Sequence, residues 1–108
     1  MRNRRITEAD LDAIGGEPAV GEVWWCRGES LRFEDGGKVR PVLVVDVRST
    51  TASIVPLTTR KPSAGAVGIA HAGGHSWLTH ADIDVDRVDL ISGLGAWAGF
   101  DAWRRVRR

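Results

Sequence analysis

The segment 40–47, Arg-Pro-Val-Leu-Val-Val-Asp-Val, constrains this chain more than any other. Aliphatic side chains follow one another almost without a break. Neither a helical stripe nor a period-two alternation is left, and the segment reads as a strand buried on both faces. Pro41 cannot donate a ladder hydrogen bond, but it sits at the beginning of the strand, where this is tolerated. A strand covered on both sides lies inside a sheet, not at its rim. With 108 residues, the chain can build one hydrophobic core around it and is too short for two.

The flanking segments supply more strands. Residues 20–26 are rich in β-branched and aromatic side chains and predict a first strand. Residues 27–38 are polar and end near Gly36-Gly37, which marks a long connection. A polar turn around Arg48-Ser49-Thr50 separates the 40–47 strand from a third at 52–58. A loop at 61–65, a weak strand at 66–70, a Gly-containing turn at 71–74 and a strand at 75–79 follow. Residues 81–86 alternate apolar and charged, as a strand with one solvated face does. The alternation slips at Arg87, although apolar residues continue at Val88, Leu90 and Ile91. Gly93 and Gly95 then precede a short amphipathic helix, with apolar residues at 100, 103 and 106. Residues 1–19 form an extension in which Thr7 caps a helix of about two turns, Asp10 stands at its third position, and Gly15-Gly16 stop it. Several short strands and one terminal helix predict a mainly β chain folded as a small, curved, barrel-like sheet.

Charge and composition exclude several classes. The net charge is +1, so polyanion binding requires a local cluster of basic groups. The lone Cys26 cannot form an internal disulfide. The Gly-rich stretch 93–100, the longest without a polar side chain, is far shorter than the roughly 20 residues of a membrane span. The basic N-terminus has no apolar run after it, so the expected location is cytoplasmic.

Arg40 sits at the mouth of the buried strand, where its guanidinium is able to face a groove. It is permanently cationic and offers a fixed fork of donors suited to phosphate, although an arginine at a strand end is commonly just a solvated charge. Thr58-Thr59-Arg60 closes the next strand with two hydroxyls and another guanidinium. Sequential strands are usually neighbours, which would bring Arg40 and Thr58 to one site. Trp24 and Trp25 point to opposite faces of their strand, so one is core and the other is a base-stacking platform or a packing contact. His71, His75, His80 and Cys26 suggest zinc, but their spacing would share a face only on a helix, and Gly73-Gly74 opposes one. Asp82, Asp84 and Asp86 imitate the start of a calcium loop whose sixth position is Arg87 and whose twelfth is Gly93, so the pattern fails. The basic residues 104–108 complement a helix C-terminus.

Three stretches in order carry a resemblance: Gly-Glu-Val-Trp-Trp-Cys at 21–26, Gly-Gly-Lys-Val-Arg-Pro-Val-Leu-Val-Val at 36–45, and Ile-Val-Pro-Leu-Thr-Thr-Arg at 54–60. Together they resemble the MazF/PemK toxins of type II toxin–antitoxin systems. The resemblance implies an SH3-like barrel over residues 20–108 with a short C-terminal helix, and the N-terminal helical extension read at 1–19 departs from the family, which usually lacks it. It implies a homodimer that cuts single-stranded RNA at short sequences without metal or other cofactor, and a cognate antitoxin through which alone DNA would be met. The arginine of the Arg-Pro pair and the threonine at the end of the third strand, catalytic in the family, fall on Arg40 and Thr58. The family's mobile loop corresponds to 27–38, with Glu34 or Asp35 as the contributing acid and Lys38 beside them; Thr59, Arg60 and Trp25 complete the expected RNA contacts. Asp84-Val85-Asp86-Arg87 is a distant echo of a late family segment. Two other classes compete: a non-catalytic CcdB-like toxin acting on a protein target, and a plain SH3-like binding module presenting its tryptophans.

Overall fold

A computed structural model describes residues 17–27, 39–79 and 82–106. The expected helix of the extension, the loop candidates Glu34, Asp35 and Lys38, and His80 lie outside the described residues. Among the described residues, seven strands occur in chain order: β1 (Glu22–Cys26), β2 (Arg40–Val47), β3 (Thr51–Thr58), β4 (Gly68–His71), β5 (Gly74–Leu78), β6 (Ile83–Asp86) and β7 (Leu90–Ala96). A 3-10 turn at Arg87–Asp89 joins β6 to β7, and the helix α1 (Phe100–Val106) follows.

The strands form one antiparallel sheet in the order β4-β5-β3-β2-β1-β7. β3 branches this path. Its first half, Thr51 to Ile54, pairs with β6, while its last two residues, Leu57 and Thr58, pair with β5. One strand edge serving two partners curls the sheet into a half-barrel.

β2 occupies the interior position that its apolar run predicted, between β1 and β3, and Val42, Leu43 and Val44 are all fully buried. Alternation divides the core between its faces. Val42 and Val44 pack with Trp24, Cys26, Ala52, Ile54, Val85 and Leu90. Leu43 packs on the other side with Val23, Val55, Leu57, Ile69, Leu78 and Phe100. Each such aliphatic side chain contributes about 1.5–3 kcal/mol through removal from water. α1 lays Phe100 on the second cluster, with Trp97 and Trp103 half-buried beside it and their rings 5.9 Å apart.

One strand escaped the sequence reading. The sequence reading assigns no strand around Gly93 and Gly95, which it places only before the helix, yet both lie inside β7, paired to β1. Their role is to admit an indole and a bulge. A Cβ at Gly93 would stand 3.3 Å from the Trp24 ring, and Gly95 has a φ of +101°, where only glycine is relaxed. The register of β1 against β7 shifts twice along this stretch.

The acidic alternation at 82–86 has a structural use. Asp84 accepts hydrogen bonds from the Ser53 hydroxyl at 2.6 Å and from Arg48 at 2.9 Å. The Ser53 hydrogen bond, seconded by Arg48, holds its carboxyl below the usual carboxylate range. Arg87 donates to the carbonyls of Arg48 and Ser49 and pairs with Glu17 at 2.7 Å, tying the β2–β3 turn to the start of the described chain. Among the described residues, no helix is long and apolar enough to cross a membrane.

Candidate functional site

The ends of β1, β2 and β3 meet the β4–β5 hairpin around a cleft of about 330 Å3. β1 pairs Trp25 with Pro41 and Cys26 with Arg40, which sets the mouth of β2 against the end of β1. β2 pairs Val42 with Pro56, the last pair of this ladder, so Arg40 and Thr58 both lie two residues beyond it. β5 then pairs Thr58 with Trp77. The first residue of β2 and the last of β3 therefore reach the same end of the sheet, with the hairpin alongside.

The cleft is lined by Trp25, Arg40, Pro41, Thr59, His71, His75 and Ser76, together with Val39 and Gly73. Of the residues singled out in the sequence, Arg40, Thr59 and Trp25 are thus brought together. Thr58 stands one position back, outside the lining, and its Oγ1 accepts the Arg60 N–H at 3.3 Å as the chain turns out of β3. Arg60 is exposed and does not line the cleft.

The adjacent indoles divide as their alternation requires. Trp24 is core, 6% exposed, with Nε1 donating to Glu22 Oε1 at 2.9 Å. Trp25 is half-buried in the cleft wall, edge-on to His71 with ring centres 6.5 Å apart. The turn of the hairpin comes so close beneath it that a Cβ at Gly73 would lie 2.7 Å from the Trp25 ring. On its other side Trp25 borders a more apolar cleft of about 450 Å3 with Val39, Ile91 and Ser92.

The hairpin brings groups that the sequence reading missed as a site. His71 accepts the Gly73 N–H at Nδ1, 3.1 Å away, and its Nε2 lies 3.0 Å from Ser76 Oγ. Ser76 is 2% exposed. His75 is exposed and meets Trp77 edge-on at 5.1 Å, and Lys61 Nζ stands 5.0 Å from the centre of the Trp77 ring. Of these three, His75 lines the cleft, while Trp77 and Lys61 lie outside its lining. The zinc spacing had drawn attention to His71 and His75 for another chemistry, but no group of three potential ligands is assembled among the described residues. The signal for the site was the Gly-marked turn at 71–74, which predicts a hairpin. What the sequence could not show was where that hairpin docks. Asp89, also unanticipated, is 1% exposed, with Oδ1 3.7 Å from Arg27 Nε. It precedes Leu90, and Leu90 and Arg40 both pair with Cys26.

Burial, and then the nearby charge of His75, lower the pKa of His71 below the usual histidine value. A folded-state pKa below the unfolded one means that the unfolded chain takes up the proton first as pH falls. His71 thus costs stability as the pH falls through the usual histidine range and toward its own lower folded-state pKa. A two-dimensional NMR titration should show the His71 imidazole with a midpoint below the usual histidine value; a midpoint at or above that value would contradict the burial of this ring.

Comparison with protein-family models, curated proteins and solved structures finds no match to this chain.

Proposed function

We propose that this chain is a metal-independent endoribonuclease toxin that cuts single-stranded RNA in the cleft beside Arg40, on an SH3-like barrel of the MazF/PemK type. The observation that carries the reading is the meeting of Arg40 and Thr59, the residue that follows β3, at one cleft that Trp25 also lines. Its support from sequence is the motif order of the first three strands. A cognate antitoxin covering the groove and a homodimeric assembly belong to the same proposal.

The chemistry asks little of the side chains. The ribose 2′-OH attacks the adjacent phosphodiester, the 5′-oxygen leaves with a proton, and the products are a 2′,3′-cyclic phosphate and a 5′-OH end. Negative charge grows on the non-bridging oxygens in the transition state, and a fixed guanidinium stabilises it without reorganising at the moment of reaction. Arg40 takes this role. The motif assigns the partnering hydroxyl to Thr58, while Thr59 is the threonine that lines the cleft. Trp25 offers an aromatic edge to a neighbouring base.

Induced expression in a bacterial host should arrest growth and generate new 5′-OH RNA ends at a short recurring sequence. The purified protein should cut the same RNA in excess EDTA. Growth arrest with intact RNA would move the reading to a protein target, and cleavage abolished by chelation would remove the metal-independent mechanism.

A further inference from the structure

We propose that Ser76 is a substrate-binding residue of this cleft, its hydroxyl proton aimed by His71 at a non-bridging phosphate oxygen of single-stranded RNA. The inference rests on the RNA reading above and adds to it a residue that the motifs do not contain.

The direction of the Ser76 proton follows from the turn. A neutral imidazole has one N–H and one lone pair. The Gly73 N–H points at Nδ1, so the lone pair is there and the proton is on Nε2. Nε2 then donates to Ser76 Oγ across 3.0 Å. The reverse arrangement, with Ser76 donating to Nε2, would put an N–H on Nδ1 facing the Gly73 N–H. That conflict also excludes His71 as a base that activates Ser76 as a nucleophile. Ser76 therefore accepts from His71 and keeps its own proton, for which no acceptor exists among the described residues. A buried hydroxyl proton left unpaired is costly, because it forgoes the hydrogen bond it would make in water. Ser76 is nearly fully buried, yet it lines the cleft, so an acceptor brought by a ligand would satisfy it. Gly73, His71 and Ser76 form a relay of donors running in one direction, each polarising the next.

The rest of the lining selects the acceptor. Arg40 is a pure donor, Thr59 adds a hydroxyl, and no carboxylate lines the cleft among the described residues. A phosphate oxygen only accepts, and matches such a wall. A base edge presents donors as well, which this wall would leave unmatched. Arginine and hydroxyl side chains are also the usual partners of nucleic-acid phosphates.

The test uses the full chain and short RNA probes methylated at every 2′-oxygen, which bind but cannot be cut, one probe all purine and one all pyrimidine. Ser76→Ala and Ser76→Cys should each weaken binding about tenfold on both probes, since a thiol is a poor donor. His71→Ala should lose most of the same affinity. His71→Gln, whose amide can still donate to Ser76, should retain affinity within about threefold of the original. Thermal unfolding of each variant separates a binding loss from a folding loss, and the glutamine rescue distinguishes an aimed proton from mere packing. Unchanged binding by both folded Ser76 variants would overturn the proposal. A loss confined to one probe would place the contact on a base and overturn the phosphate assignment. Failure of the unaltered protein to bind either probe would instead overturn the RNA reading beneath it.

Discussion

Arg40→Ala is expected to lower the rate of RNA cleavage by about 100- to 1,000-fold, the usual consequence of removing one preorganised donor from a developing oxyanion. The backbone of residue 40 would still pair with Cys26, and the buried run that begins at Val42 would be untouched. The variant should therefore remain folded. Single-turnover cleavage with a melting curve on the same preparation reads both quantities. Arg40→Lys should recover only part of the rate, because an ammonium restores the charge but not the planar fork. Thr58→Val and Thr59→Val, each deleting a hydroxyl while keeping a strand-forming shape, separate the motif threonine from the one that lines the cleft. A folded Arg40→Ala protein that cuts RNA at the original rate would defeat the catalytic assignment.

Leu43→Ala should produce the largest loss of stability. Leu43 is fully buried on the interior strand, between Val23 of β1 and Val55 of β3. Truncation removes its transfer free energy and leaves a cavity that neighbouring strands cannot collapse into, together costing about 2.7–5 kcal/mol. A domain of this size has only about 5–15 kcal/mol in total. At about 4–8 °C per kcal/mol, the melting temperature should fall by more than about 10 °C, or the chain should fail to fold. Val106→Ala, at a position 82% exposed, provides the contrast and should change stability by no more than about 0.5 kcal/mol. A Leu43→Ala protein that melts within a degree or two of the original would contradict a sheet packed on both faces.

How much could be read beforehand depended on whether the cause lay close in the sequence. β2 was legible because burial on both faces leaves an unbroken apolar run, and Pro41 and Arg48 punctuate its ends. α1 was legible because Phe100, Trp103 and Val106 repeat at helical spacing. β7 was not legible, because Gly93 is a glycine on account of Trp24, some 70 residues earlier in the chain. Likewise the alternating aspartates of 82–86 predicted a solvated face but not that Asp84 would gather Arg48 and Ser53. At the site, Arg40 and the threonines were visible because they end strands adjacent in sequence. His71 and Ser76 were not, since they reach the cleft only through the pairing of β5 with the last two residues of β3.

That short seam has a consequence for motion. The wall of the cleft that holds Arg40 belongs to β2, which is laddered to β1 and β3 along most of its length. The opposite wall, with His71 and Ser76, belongs to a hairpin whose strand pairing with the rest of the sheet, among the described residues, is limited to Leu57 with Leu78 and Thr58 with Trp77, supplemented by Thr79 bonding to the Pro56 carbonyl. Local opening requires only the bonds of the detached part to break, so hydrogen exchange reaches weakly seamed elements before the core strands. The seam should therefore be visible in exchange: the amides of the Leu57–Leu78 and Thr58–Trp77 pairs are expected to exchange before those of β2, and equal protection would show that Ile69 and Leu78, buried in the second core cluster, hold the hairpin as firmly as a full ladder does.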